Sequence, residues 1–189
     1  MVRIGFEHAL QSHHAAIESV LQRREDIVAM VEKIAESLDK GGKVLWLGNG
    51  GSAADAQHMA AELMVRYVKD RRPLASLALT TDSSILTAHS NDYAFQSVFA
   101  RQIEALASKG DIVIAMSTSG NSQNVVEAVE EAKRIGCFSI AMTGREESRL
   151  SELADICFRI DCVETARIQE AHTFLNHLIC EGLDSIYAS

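Results

Sequence analysis

The chain is short of residues that break or staple a fold. Its 189 residues include a single proline, with no low-complexity stretch and no internal repeat. Nothing reads as a linker dividing the sheet-forming region into two domains. The four cysteines, Cys137, Cys157, Cys162 and Cys180, form no CxxC pair. A chain of this size needs no disulfide staples, and Cys137 and Cys157 sit in apolar runs as core thiols would. No apolar run is long enough to span a bilayer. The opening MVRIGFEHALQSHH carries Glu7 where a secretion signal needs unbroken apolar residues. A cytoplasmic protein with no membrane partner is expected. Positive charge is scarce too: 18 Lys and Arg against 26 Asp and Glu give a net charge of -8. That disfavours DNA or RNA as a partner, because such binding is driven by phosphate neutralisation. A phosphorylated small molecule needs only a few well-placed donors.

What is present is a regular alternation. Ile17, Val20, Leu21, Ile27, Val28, Val31, Ile34 and Leu38 recur at helical spacing, so 4–40 reads as helix with a break near 22–25. Gly41 and Gly42 close it. Short apolar strands are expected at 43–47, 74–79, 112–116, 138–142 and 156–160. Helical patterns lie between them at 52–67, 95–108, 121–135 and 148–154, and a long helix runs over 164–187. Short apolar strands alternating with helices imply an α/β fold, a parallel sheet covered on both faces. Ligands of such sheets bind beyond the carboxyl ends of the strands.

Two loops there carry unusual chemistry. Residues 117–122, STSGNS, place Ser117, Thr118, Ser119 and Ser122 around Gly120 at a helix start. A helix start favours an anion through its free N–H groups and dipole, and four hydroxyls exceed what a simple N-cap needs. The loop after the first strand, GNGGSAADA, lets a ligand approach the backbone at Gly50 and Gly51, with Asn49 and Ser52 beside them. It is neither a dinucleotide fingerprint nor a P-loop.

Proton-transfer and metal candidates lie on two helices. His58 and Glu62, four residues apart, share a helix face and have the chemistry to bind a divalent ion. The last helix offers Gln169, Glu170, His172 and His177. Gln169 and His177 are separated by about 12 Å of rise, which is awkward for one ion; Glu170 and His177 align better on geometry alone. Asn91 and Asp92 suit either a helix cap or sugar hydroxyls. Arg66, Arg71 and Arg72 read as surface residues, with phosphate contact as the alternative.

Together, GNGGSAADAQHMAAE, LTTDSSILTAHSNDY, STSGNSQNV and ARIQEAHTFLNH resemble the phosphoheptose isomerases of the sugar isomerase (SIS) domain family, over nearly the whole chain. The resemblance implies a three-layer α/β/α sandwich on a five-stranded parallel sheet. Residues 1–40 would form a helical arm used in oligomerisation and 41–189 the SIS domain, within one globular unit. It also implies a homotetramer with interface active sites. The implied reaction converts sedoheptulose 7-phosphate to D-glycero-D-manno-heptose 7-phosphate through an enediol, for lipopolysaccharide or other surface glycans. One Zn2+ per subunit would be held by His58, Glu62, Gln169 and His177, so the resemblance overrides the geometric preference for Glu170. Substrate contacts would be Asn49, Gly50, Gly51, Ser52, His58, Glu62, Asn91, Asp92, Ser117, Thr118, Ser119, Ser122 and Gln169. Glu62 is expected as the base and His177 as the partner acid. Some relatives carry aspartate before RIQE; here Ala166 stands there, and Glu164 or Asp161 is the alternative carboxylate. A non-catalytic relative that binds the replication initiator DnaA lacks a carboxylate at the Glu62 position, and Glu62 therefore favours an enzyme. A sugar-phosphate sensor is the third reading.

Overall fold

A computed structural model describes residues 4–188. The first three residues of the arm expected over 1–40, and Ser189 at the end of the unit expected over 41–189, lie outside the described residues. Helices α1 (Phe6–Leu21) and α2 (Arg24–Asp39) meet at a break over Gln22 and Arg23. The sheet comprises β1 (Val44–Gly48), β2 (Ser76–Ala78), β3 (Ile112–Met116), β4 (Phe138–Thr143) and β5 (Ile156–Arg159). The remaining helices are α3 (Gly51–Met64), α4 (Ser83–Asp92), α5 (Val98–Leu106), α6 (Gln123–Ile135), α7 (Arg149–Leu153) and α8 (Thr165–Tyr187). A short 3-10 turn, Phe95–Ser97, leads into α5.

All five strands are parallel, in the order β2-β1-β3-β4-β5. Every residue of β1 and β3 is buried. That is why these strands read as unbroken apolar runs instead of alternating ones. One face is covered by α1, α2, α3 and α8, whose Val20, Met30, Ile34, Met59 and Leu175 pack with Trp46, Ile114 and Phe158. On the other, α5 and α6 pack Phe99, Ile103, Val126 and Val129 against Leu45, Val113 and Ala141. The only tryptophan of this aromatic-poor chain lies fully buried in β1, its Nε1–H donating to Ser76 Oγ at 2.9 Å. Strand order reverses between β1 and β3. From Gly48 and Met116, paired in register, the chain leaves to opposite faces and opens the crevice where such folds bind ligands.

All four cysteines are free thiols; Cys137, Cys162 and Cys180 are buried and Cys157 half-buried. Burial pushes the Cys137 thiol up to about 11 and the Cys180 thiol up to about 12.

Burial also shapes His172. Its ring is fully buried on the inner face of α8, with Nε2 3.3 Å from the Thr143 carbonyl and Nδ1 unpartnered. Burial drives its pKa from 6.5 down to about 4. The folded state therefore holds His172 neutral where an unfolded chain would protonate it. Stability from this group is present above pH 6.5 and is lost as pH falls toward 4, by about 3 kcal/mol at 1.36 kcal/mol per pKa unit. Denaturant titrations at pH 7 and pH 4.5 check this: His172→Gln should lose less stability on acidification than the parent. Equal losses would show that His172 does not carry the effect.

Candidate active site

The first part of the site is set by glycine. Gly50 adopts φ +54°, which carries the chain from β1 into α3, whose first turn hangs on the Asn49 carbonyl. Next to it, a Cβ on Gly51 would come within 2.7 Å of Gln169 Oε1. The missing side chain is what lets α8 lie against the start of α3. Ser52 is buried against Gly48, inside the turn instead of on its open side.

The serine loop leaves β3 one strand over. Ser117 Oγ lies 3.0 Å from Ser122 Oγ and 3.5 Å from Ser119 Oγ, so three hydroxyls converge at the N-terminus of α6. The Thr118 carbonyl accepts from Gly144 N at 3.0 Å. Gly120 holds φ +66°, and a Cβ there would run into Ser148 Oγ. Only glycine lets this loop close over β4. Hydroxyls, free N–H groups and the positive end of α6 make this a place for an anion.

The proton-transfer candidates meet where α3 packs alongside α8. His58 Nε2 is hydrogen-bonded to Glu62 Oε1 at 3.1 Å. The rings of His58 and His177 meet edge to face at 5.2 Å between centroids. Tyr67, which sequence reasoning passed over, stacks on His177 at 5.5 Å. Asp55 was also missed. Its carboxylate lies half-buried between the helices, with Thr173 Oγ1 at 3.0 and 2.9 Å from its two oxygens. Burial pushes its pKa up, against the opposing pull of the Thr173 hydroxyl, His58 and His177. A cleft of about 480 Å³ opens beside His177, lined by His13, Ile17, Glu170, Thr173 and Phe174. A larger hollow of about 720 Å³ at the β5 edge is lined by Asp161, the alternative carboxylate, and by none of the other expected site residues.

Gln169 stays with Gly51, at the far end of the α3–α8 contact from His177, as its rise along the helix dictates. Glu170, the better partner on helix geometry, is engaged elsewhere: His13 Nδ1 lies 2.7 Å and Arg167 Nη1 2.9 Å from its carboxylate. Asn91 and Asp92 are the last residues of α4, both exposed, with Asn91 Nδ2 donating to Asp92 Oδ1 at 2.8 Å. They end a helix rather than cap the next one. Asp161 pairs with Arg145, and Glu164 stands exposed at the start of α8. The arginines read as surface residues are not alike. Arg66 donates to the Val68 carbonyl and Arg72 pairs with Asp39, but the Arg71 side chain is fully buried against Asp184.

Two imidazoles, a carboxylate and an amide oxygen are donors that suit zinc. Among the described residues no three His, Cys, Asp or Glu side chains are already gathered tightly enough to hold an ion. The donor set fits, and binding would have to draw it together.

The SIS domain family matches residues 9–144. Phosphoheptose isomerase of Aliarcobacter butzleri is 49% identical over 175 residues, covering 92% of this chain and 93% of its own length. The structure of phosphoheptose isomerase from Neisseria gonorrhoeae aligns with a TM-score of 0.87 at 42% identity, covering 95% of this chain and 96% of that one. A phosphoheptose isomerase from Francisella tularensis aligns with a TM-score of 0.89 at 35% identity, covering 95% of each.

Proposed function

Because the chain belongs to the SIS domain family, among the phosphoheptose isomerases, we propose that it interconverts sedoheptulose 7-phosphate and D-glycero-D-manno-heptose 7-phosphate where α3 and α8 lie side by side. This serves heptose biosynthesis, with lipopolysaccharide or another surface glycan as the destination and the cytoplasm as the place. One observation carries the site assignment. His58 and Glu62 on α3 meet His177 on α8, while the serine loop and the Asn49–Gly51 turn leave neighbouring strands at the point where strand order reverses.

The phosphate sits on Ser117, Thr118, Ser119 and Ser122, anchoring the sugar far from its reacting carbons. Such remote anchoring turns proton transfer into a positioned, unimolecular step. Glu62 takes the proton from C1 of the open-chain ketose and returns it to C2, through a cis-enediol. His177 moves the hydroxyl proton from O1 to O2, its ring held by His58 on one side and Tyr67 on the other. A zinc ion held by His58, Glu62, Gln169 and His177 supplies Lewis-acid polarisation of the carbonyl when bound. Asn49, Gly50, Gly51 and Gln169 line the sugar.

The working unit is a homotetramer with sites between subunits. Support comes from α4, which has no buried residue. Next to it Tyr93 and Phe95 are exposed. A helix so poorly held by its own subunit gains burial from a second copy, and Asn91 and Asp92 then reach a neighbour's sugar.

A coupled assay on sedoheptulose 7-phosphate tests the reading: turnover supports it, whereas binding without turnover points to a sensor. Replacing Ser119 and Ser122 together by Ala should raise KM at least about tenfold, since a hydrogen bond to a charged group contributes about 1.5–3 kcal/mol. Unchanged KM would reject the anion loop.

A further inference from the structure

Asn124, in the first turn of α6, is 4% exposed and faces Asn49 across the crevice. The two amides bond reciprocally: Asn49 Nδ2–H donates to Asn124 Oδ1 at 2.9 Å, and Asn124 Nδ2–H donates to Asn49 Oδ1 at 2.8 Å. Each amide thus satisfies the other with one donor and one acceptor, and neither turns without its partner.

The location gives this pair its meaning. The Asn49 carbonyl starts α3, accepting from Ser52 N at 3.0 Å and Ala53 N at 3.3 Å. The Ser122 carbonyl starts α6, accepting from Val125 N and Val126 N, both at 3.0 Å. The two helices lie on opposite faces of the sheet. Their N-termini meet where β1 and β3 part, and the amide pair is the side-chain bridge across that gap. A simple helix cap would use one short polar side chain and its own backbone. Asn124 reaches instead to the neighbouring loop, from a buried position where an unpaired amide would be destabilising.

We propose that Asn124 is a positioning residue for the isomerisation: through its amide pair with Asn49 it fixes the distance between the anion loop on α6 and the sugar-lining turn on α3. This rests on the function assigned above. Fixing that distance fixes where the reacting carbons fall relative to Glu62 once the phosphate is seated. A displacement of about 1 Å is enough to cost on the order of 100-fold in rate.

The test compares the parent with Asn124→Ala, Asn49→Ala and the double variant on sedoheptulose 7-phosphate, with inorganic phosphate as competing inhibitor. Asn124→Ala should lower kcat about 10- to 100-fold and leave the phosphate inhibition constant within about threefold, because the hydroxyl loop itself is intact. Because Asn124 acts through Asn49, the double variant should be no slower than Asn49→Ala alone. If Asn124→Ala does not fold, the isosteric Asn124→Asp replaces it. Its carboxylate still accepts from Asn49 Nδ2 but has no N–H to return, and the same non-additivity is expected. An unchanged kcat, a loss confined to phosphate affinity, or additive losses in the double variant would each overturn the inference. An inactive parent would overturn the assigned function, and this inference with it; an active parent with an indifferent Asn124 overturns this inference alone.

Discussion

Glu62→Gln is expected to lower kcat by about 10²- to 10⁴-fold, the range a positioned general base contributes, while the variant stays folded and still binds the ketose phosphate. Gln keeps the shape of Glu and can still hydrogen-bond to His58 Nε2, so the α3–α8 contact should survive. What it lacks is an oxygen basic enough to take a proton from carbon. Because Glu62 is also an expected zinc ligand, metal content should be measured on the same preparation. Activity lost with zinc retained identifies the base; activity lost together with zinc identifies a ligand. Near-normal turnover would remove Glu62 from the mechanism and make Asp55, the nearby half-buried carboxylate, the next candidate.

The largest effect on stability should come from Asp184→Ala. Asp184 is 2% exposed, and its oxygens accept from Val68 N at 2.9 Å, Lys69 N at 2.8 Å and Arg71 Nε at 2.9 Å. Arg71 in turn donates to the Glu62 carbonyl at 2.8 Å and the Leu63 carbonyl at 3.0 Å, satisfying the end of α3. Burial alone would push the Asp184 carboxyl up, but the two backbone N–H groups and the guanidinium outweigh it and hold the group below the ordinary carboxylate value. Its contribution is therefore present above about pH 4 and lost as pH falls through the depressed value. Removing Asp184 leaves a buried guanidinium without its counter-charge, which costs about 3–5 kcal/mol. Denaturant unfolding of Asp184→Ala should show that loss. The double change Arg71→Met with Asp184→Leu should recover only part of it: the unpaired charge is gone, but Val68 N, Lys69 N and the Glu62 and Leu63 carbonyls lose the side chains that satisfy them. A single variant as stable as the parent would show that the pair is dispensable.

The contrast between these residues explains what a sequence discloses. The strands were legible because two-sided burial leaves a short apolar run, as in VLWLG and IVIAM. The glycine and serine loops were legible because their chemistry is local: hydroxyls around one glycine, at a helix start. Arg71 was read as a surface residue because it stands in an Arg-Arg pair; its burial depends on Asp184, far along the chain. Asn124 looks like any polar residue near a helix start, and only the return of β3 beside β1 brings it to Asn49. No full helical pattern marks α4, because SSILTAHSND has no apolar stripe for its own core to bury. Gln169 and His177 were rightly seen as distant from one another. What periodicity did not disclose is that α3 runs alongside α8, so that each meets its own partner, Gly51 or His58.

Cys180 has a consequence for following this molecule in motion. It lies on α8 with its sulfur 3.9 Å from Met59 on α3, and its thiol is held protonated far above neutral pH. An alkylating reagent attacks thiolate, so Cys180 should be silent in the closed protein and react only when the two helices part. Its labelling rate would then serve as a clock for the breathing of the cleft, slowed by any ligand that clasps α3 to α8.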